Sequence, residues 1–170
     1  TKMGELDDAE AAIRCALKIN PKYAAAHNNL GILLSDKDEL DGAEAAYRCA
    51  IKISFQYAVA YNNLGVLLHT KMGKREEEAM AAYRSAIEIN PEYGMAYWNL
   101  SNLLQKMDDL EGAIAAMQGY IDAGDPDGNG DEELARLKAA QAAAMDDDTG
   151  SVASDETNMQ ELEGADNRTP

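Results

Sequence analysis

Two stretches of helical periodicity, Tyr23 to about Ser35 and about Asp41 to Ile53, are joined by a polar turn and closed by Ser54-Phe55. The same arrangement recurs along the chain. Residues 26–34 read AHNNLGILL and residues 60–68 read AYNNLGVLL, thirty-four positions on; a third copy, AYWNLSNLL, occupies 96–104. Leu30, Leu64 and Leu100 align, as do Gly31, Gly65 and Ser101. A second set of columns joins Ala9, Ala43, Ala79 and Ala113, followed four residues later by Ile13, Tyr47, Tyr83 and Met117. Asn20-Pro21, Ser54-Phe55 and Asn90-Pro91 punctuate the ends. Each unit is therefore predicted to be a helix, a turn and a second helix, and a period of this length signals a repeat array.

This pattern, an aromatic, Leu-Gly, a second aromatic, then Ala, aromatic and Pro, resembles that of the tetratricopeptide repeat (TPR) family, over residues 1 to about 124. The resemblance implies an all-α fold, a solenoid in which antiparallel helix pairs wind into a right-handed superhelix. It divides the chain into 1–22, the second helix of a truncated repeat, and three full repeats at 23–56, 57–92 and 93–124. There follow an acidic Gly/Asp loop at 125–131, a capping helix at 132–145 and an acidic low-complexity tail at 146–170. Asn129 with Glu132 has the form of a capping box for the terminal helix. Small residues at Gly31, Gly65, Ala43 and Ala79 fall where two helices must approach closely.

Departures from the pattern carry information of their own. The second repeat is two residues longer, and the insertion lies within HTKMGKREEEA, where Glu76 replaces the leucine found at Leu6, Leu40 and Leu110. That turn is expected to pack less well. Phe55 replaces a proline and is expected to cost some rigidity at its junction. The chain opens in mid-repeat, which leads us to expect further protein before Thr1.

Composition agrees with helix: 46% hydrophobic residues, a single Phe and four prolines leave no expectation of a sheet. The longest apolar runs are four or five residues, far from the ~20 that span a bilayer. A soluble, intracellular protein without direct membrane insertion is the expectation, and an organelle fits as well if an N-terminal segment is missing. Net charge is −16, concentrated in residues 122–133 and 146–170. Such a surface is unsuited to nucleic acid or anionic membranes. The tail, with Asp146, Asp147 and Asp148 at its head, would suit a basic partner.

Few residues suggest chemistry. Cys15 and Cys49 share a column with Ser85 and Gly119, which selects small size rather than thiol reactivity. Asp125, Asp127 and Asn129 fall on the first, third and fifth places of a calcium loop with Gly130 at the sixth, but Arg136 occupies the twelfth place where a glutamate should close the shell. His27 occupies a packing column shared with Tyr61 and Tyr97, and His69, beside the long turn, is expected to be solvated. No nucleophile motif or phosphate loop appears, so no enzyme and no cofactor is expected.

The candidate partner-binding residues lie on the first helices. Asn29, Asn63 and Asn99 each precede the leucine, and an amide there offers a donor and an acceptor to the backbone of an extended peptide. This column resembles the asparagine ladder of O-GlcNAc transferase and SPINDLY TPR arrays, although tying one repeat to the next is the competing role. Neighbouring columns hold Asn28, Asn62 and Trp98; Ala25, Val59 and Met95; and Ile32, Val66 and Asn102. Trp98 would serve as an anchor or pack against the terminal helix. The clamp that holds chaperone C-terminal carboxylates is absent, because these columns supply no cation. The expected function is a protein-interaction scaffold or assembly subunit binding a peptide or partner subunit on the concave face. The alternatives are the substrate-recruiting arm of a larger enzyme such as an O-GlcNAc-transferase-like glycosyltransferase, and a calcium-responsive adaptor.

Overall fold

The computed structural model describes residues 2–71, 75–125 and 127–145, so the tail at 146–170 and residues 72–74 of the long turn lie outside the described residues. Eight helices follow one another with no strand among the described residues: α1 Lys2–Ile19, α2 Ala24–Asp36, α3 Leu40–Ile53, α4 Ala58–Thr70, α5 Glu76–Ile89, α6 Gly94–Lys106, α7 Leu110–Asp122 and α8, residues 130–145. They pair as α2 with α3, α4 with α5 and α6 with α7, and each second helix also meets the next first helix. The backbones of the first helices α2, α4 and α6 approach closely in succession, whereas those of α1, α3, α5 and α7 do not approach one another and meet only through long side chains such as Arg48 and Glu78. That asymmetry curves the array, with the first helices inside and the second helices splayed outside.

Each pair closes around small residues. A Cβ on Gly31 would lie 2.6 Å from the Tyr47 ring, and one on Gly65 would lie 2.6 Å from the Tyr83 ring. Ala43, Ala79 and Ala113 are fully buried at the same crossings. Leu30, Leu34, Leu64, Leu67, Leu68, Leu100, Leu103 and Leu104 join these rings in one continuous core, each buried leucine contributing roughly 2 kcal/mol. In the third repeat Met117 stands in the ring's place and Ser101 in the glycine's; the Ser101 hydroxyl is buried and donates to the Ala113 carbonyl at 2.8 Å. Burial pushes the Tyr47 phenol up to about 12 and raises Tyr83 further still.

Turn chemistry explains where the helices stop. Asp38 and Asp108 take φ of 63° and 64° between the helices of the first and third repeats, a left-handed conformation that Asp tolerates. Phe55, 72% exposed, sits in a turn closed by Tyr57 N–H to the Ser54 carbonyl at 3.1 Å, the same bond that Asn20 and Asn90 accept at the proline-containing junctions. The proline is therefore dispensable to the turn's form.

Lys71 and Arg75, at the two ends of the long turn, are tied down by charge. Arg75 donates to both Glu44 oxygens at 2.8 and 3.0 Å and to Glu78, while Lys71 donates to the Ser35 carbonyl at 2.6 Å. Glu76, lacking the leucine's apolar contacts, lies 3.4 Å from Lys106 instead. One repeat earlier, Lys37 holds Asp7 and Glu10 at 2.9 and 2.6 Å. Ionic clasps thus run between repeats along this edge.

The terminal helix takes the position of a further first helix. Leu134 and Leu137 are 8% and 2% exposed and complete the core beside α6. It begins at residue 130, and the expected capping box does not form: Glu133 N–H reaches the Asn129 backbone carbonyl, and the Gly130 N–H is taken by Asp125 Oδ2 at 3.1 Å. A short carboxylate from the loop does what the Asn129 side chain was expected to do.

Candidate functional site

Positions i, i+4, i+7 and i+11 of a helix share one face. On α2 these are Ala25, Asn29, Ile32 and Asp36; on α4, Val59, Asn63, Val66 and Thr70; on α6, Met95, Asn99, Asn102 and Lys106. The three rows lie side by side on the inner surface. Ile32, Val59 and Met95 are 41%, 36% and 47% exposed there, Val66 and Asn102 are half-buried, and the face carries charge only at Asp36 and Lys106.

Asparagine pairs cross from repeat to repeat. Asn63 Nδ2 donates to Asn28 Oδ1 at 3.0 Å, and Asn99 Nδ2 donates to Asn62 Oδ1 at 3.0 Å. Asn28 and Asn62 are 3% and 4% exposed, so they face the neighbouring repeat and are out of a partner's reach. Asn63 and Asn99 are half-buried and spend one N–H each on this tie, which leaves the second N–H and the carboxamide oxygen uncommitted. Asn29, exposed, heads the ladder and has no such tie. The sequence gives the rungs; it does not reveal that the preceding asparagine of each pair is the buried acceptor, because NN reads alike in both places.

Trp98 occupies an intermediate position. Its ring meets Tyr120 at 5.3 Å between centroids, tilted by 54°, and it lines a cleft of about 320 Å³ with Asn129, Glu132, Glu133 and Arg136 of the terminal helix. Tyr120 is fully buried and donates its hydroxyl to Asp127 Oδ2 at 3.2 Å. The indole therefore packs at the junction of α6, α7 and α8 with one edge accessible.

The acidic loop is shaped by its own bonds. Asp125 adopts φ of 37° and anchors Gly130, its other oxygen Oδ1 buried without a partner, while Asp127 serves Tyr120. Among the described residues no group of three or more His, Cys, Asp or Glu gathers as a metal site requires. Cys15 and Cys49 are exposed, free thiols, whereas Gly119 of their column lies under the Tyr97 ring, where a Cβ would come within 2.3 Å. His27 lies 3.0 Å from the Pro21 carbonyl. His69 is half-buried rather than solvated, and burial, with Lys106 nearby, lowers its pKa below the usual 6.5. No described helix is long and apolar enough to cross a membrane.

Comparison with known proteins agrees with this architecture. Two family models, both described as tetratricopeptide repeat, match residues 2–58 and 58–93, together more than half of the chain. The chain belongs to the tetratricopeptide repeat family. The crystal structure of MamA superposes with a TM-score of 0.71 at 20% identity, covering 94% of both chains. That of YrrB, described as a TPR protein with an unusual peptide-binding site, superposes with a TM-score of 0.67 at 24% identity over 76% of this chain and 66% of its own. No curated protein matches the chain. The neighbours share the fold.

Proposed function

We propose that the chain is an interaction scaffold that holds an extended peptide segment on the inner face of α2, α4 and α6, and that it works within a larger protein or assembly. The observation that carries the reading is the half-spent ladder: Asn63 and Asn99 are fixed by Asn28 and Asn62, yet each keeps an acceptor oxygen for a ligand. A side chain locked by one hydrogen bond loses little freedom when it makes a second, which favours binding through preorganisation. The aliphatic Ile32, Val59, Val66 and Met95 flank the ladder, so the favoured segment carries uncharged aliphatic side chains. YrrB, a peptide-binding TPR protein by its description, supports the class of ligand. Asn102 extends the polar stripe, and Trp98 offers its accessible edge where the groove meets the terminal helix.

A substrate-recruiting arm of a larger enzyme would use the same groove, and its support is the resemblance of the asparagine column alone. The acidic tail would engage a basic partner independently of this face.

The test is selection of dodecamer peptides from a random display library on the immobilised chain, followed by calorimetry with the peptides obtained. Asn29→Ala is the clean variant, since Asn29 ties no repeats together. Weaker binding with unchanged melting supports the ladder; unchanged affinity for every selected peptide contradicts it.

A further inference from the structure

The edge of the array opposite the ionic clasps is formed by the junctions where each second helix hands over to the next first helix. They run in order: α1 to α2 through residues 20–23, α3 to α4 through 54–57, α5 to α6 through 90–93 and α7 to α8 through 123–129. Successive junctions are neighbours, since Ala58, just after the second, packs in one cluster with Ile89 and Tyr93 at the third. The last turn of each second helix sets one repeat column beside its junction, and that column reads Lys18, Lys52, Glu88 and Asp122. All four are exposed, and among the described residues none of them forms an ion pair. Asp122 accepts from the neutral Gln118 amide at 3.1 Å.

Charge therefore changes sign along this edge. Arg14 and Arg48, one turn back in the first two repeats, are each offset at 2.7 Å by Glu10 and Glu44. Lys18 and Lys22 then leave the first junction doubly positive, and Lys52 leaves the second singly positive. At the third, Glu88 and Glu92 outweigh Arg84 by one charge; at the fourth, Asp122, Asp125 and Asp127 are three acids together. Apolar side chains project from the positive half, where Ile19 is 83% exposed, Phe55 72% and Tyr23 52%. An edge that runs from positive to negative in this graded way is complementary to itself when reversed.

We propose that this edge binds the same edge of a second copy, antiparallel about a two-fold axis between the second and third junctions, so that Lys52 meets Glu88 of the partner subunit and Lys18 meets Asp122 of the partner subunit. The two-fold repeats each contact and closes the assembly at two chains. In this register Phe55 lies against Pro91 of the partner subunit and leaves water. Charge complementarity selects a second copy over a uniformly acidic or basic partner, which would meet like charge along half of the edge, and facing like charges suppress association. Built from turn tips and exposed lysines, the contact belongs to the small, transient class of interface. The net charge of −16 opposes it at long range, but a Debye length of about 8 Å in physiological salt screens that repulsion more than the attraction of charges in contact. The inner face of α2, α4 and α6 takes no part, so nothing here depends on the asparagine ladder.

The test is sedimentation equilibrium of the full chain in about 0.15 M salt, at chain concentrations from about 10 μM to about 1 mM. The mass should rise from that of one chain toward that of two and no further. Lys52→Glu and Glu88→Lys should each weaken the dimer about tenfold or more, and the double variant should restore it. Glu88→Lys discriminates most sharply: it lowers the net negative charge, so general repulsion alone predicts tighter association where the pairing predicts weaker. Phe55→Pro, which gives the second junction the residue found at the first and third, should also weaken the dimer while leaving helicity unchanged. A chain that is monomeric throughout, or any of these single variants associating as well as the parent, overturns the proposal. A double variant that associates no better than the singles overturns it too. Mass that keeps rising past two chains would show an open, head-to-tail contact and overturn the two-fold.

Discussion

A Cβ added to Gly65 would lie 2.6 Å from Cε1 of Tyr83, so glycine and ring determine each other across the helix pair. The third repeat shows the alternative solution, Ser101 with Met117. Gly65→Ser alone should destabilise the chain by about 1–3 kcal/mol, as overpacking does. Combining it with Tyr83→Met should recover part of that loss, because the flexible methionine makes room. Denaturant unfolding of both single variants and the double variant measures the coupling, and purely additive losses would separate the two columns.

Trp98→Ala should cost about 2 kcal/mol of stability, less than the ~3–5 kcal/mol of a fully buried aromatic, because the indole is only half-buried against Tyr120. Thermal unfolding gives the answer. A variant that melts like the parent would mean that the Tyr120 contact contributes nothing to the fold.

His69 introduces a pH dependence of known sign. Burial, with the Lys106 charge, lowers its pKa in the folded chain below 6.5, so the unfolded chain binds a proton that the folded chain does not. Its contribution to stability is therefore complete above about pH 6.5 and is lost as pH falls through the lower folded value. The melting temperature should fall between about pH 7 and pH 5 by more in the parent than in His69→Gln. Glu10 and Glu44, held below the carboxylate range by Lys37 and Arg75 respectively, add a loss of the same sign at lower pH. Equal slopes for parent and variant between pH 7 and pH 5 would contradict the assignment to His69.

Much of the fold was legible in the sequence, because the repeat itself aligns its columns. Leucine, glycine and alanine at fixed spacing specify helix pairs, and Leu134 with Leu137 marks the cap. The long turn was legible only as a defect: the missing leucine at Glu76 is plain in one dimension, but Arg75 reaching back thirty-one residues to Glu44 is not. The site was half legible. Asn29, Asn63 and Asn99 stand out by register, whereas the burial of Asn28 and Asn62 depends on which flank of the helix the next repeat covers. Trp98 was ambiguous for the same reason, since its partner Tyr120 belongs to another helix.

Arg75 should also reveal itself through salt. Its bonds to Glu44 and Glu78 are partly exposed and therefore screened. Raising sodium chloride from about 0.05 to about 1 M should lower the melting temperature of the parent more than that of Arg75→Ala. Parallel curves would show that the long turn owes nothing to the clasp.

The central claim is that the carboxamide oxygens of Asn63 and Asn99 accept hydrogen bonds from the backbone of a bound peptide. Replacing these asparagines would also strip Asn28 and Asn62 of their buried partners, so the ligand is the better place to intervene. The decisive measurement is calorimetric affinity for a library-selected peptide and its series of singly backbone N-methylated forms. Methylation at the positions facing the ladder should weaken binding by about tenfold or more, the loss of a hydrogen bond that leaves a half-buried acceptor unpaired. A peptide whose affinity is indifferent to N-methylation at every position, yet abolished by side-chain truncation, would contradict backbone recognition by the ladder.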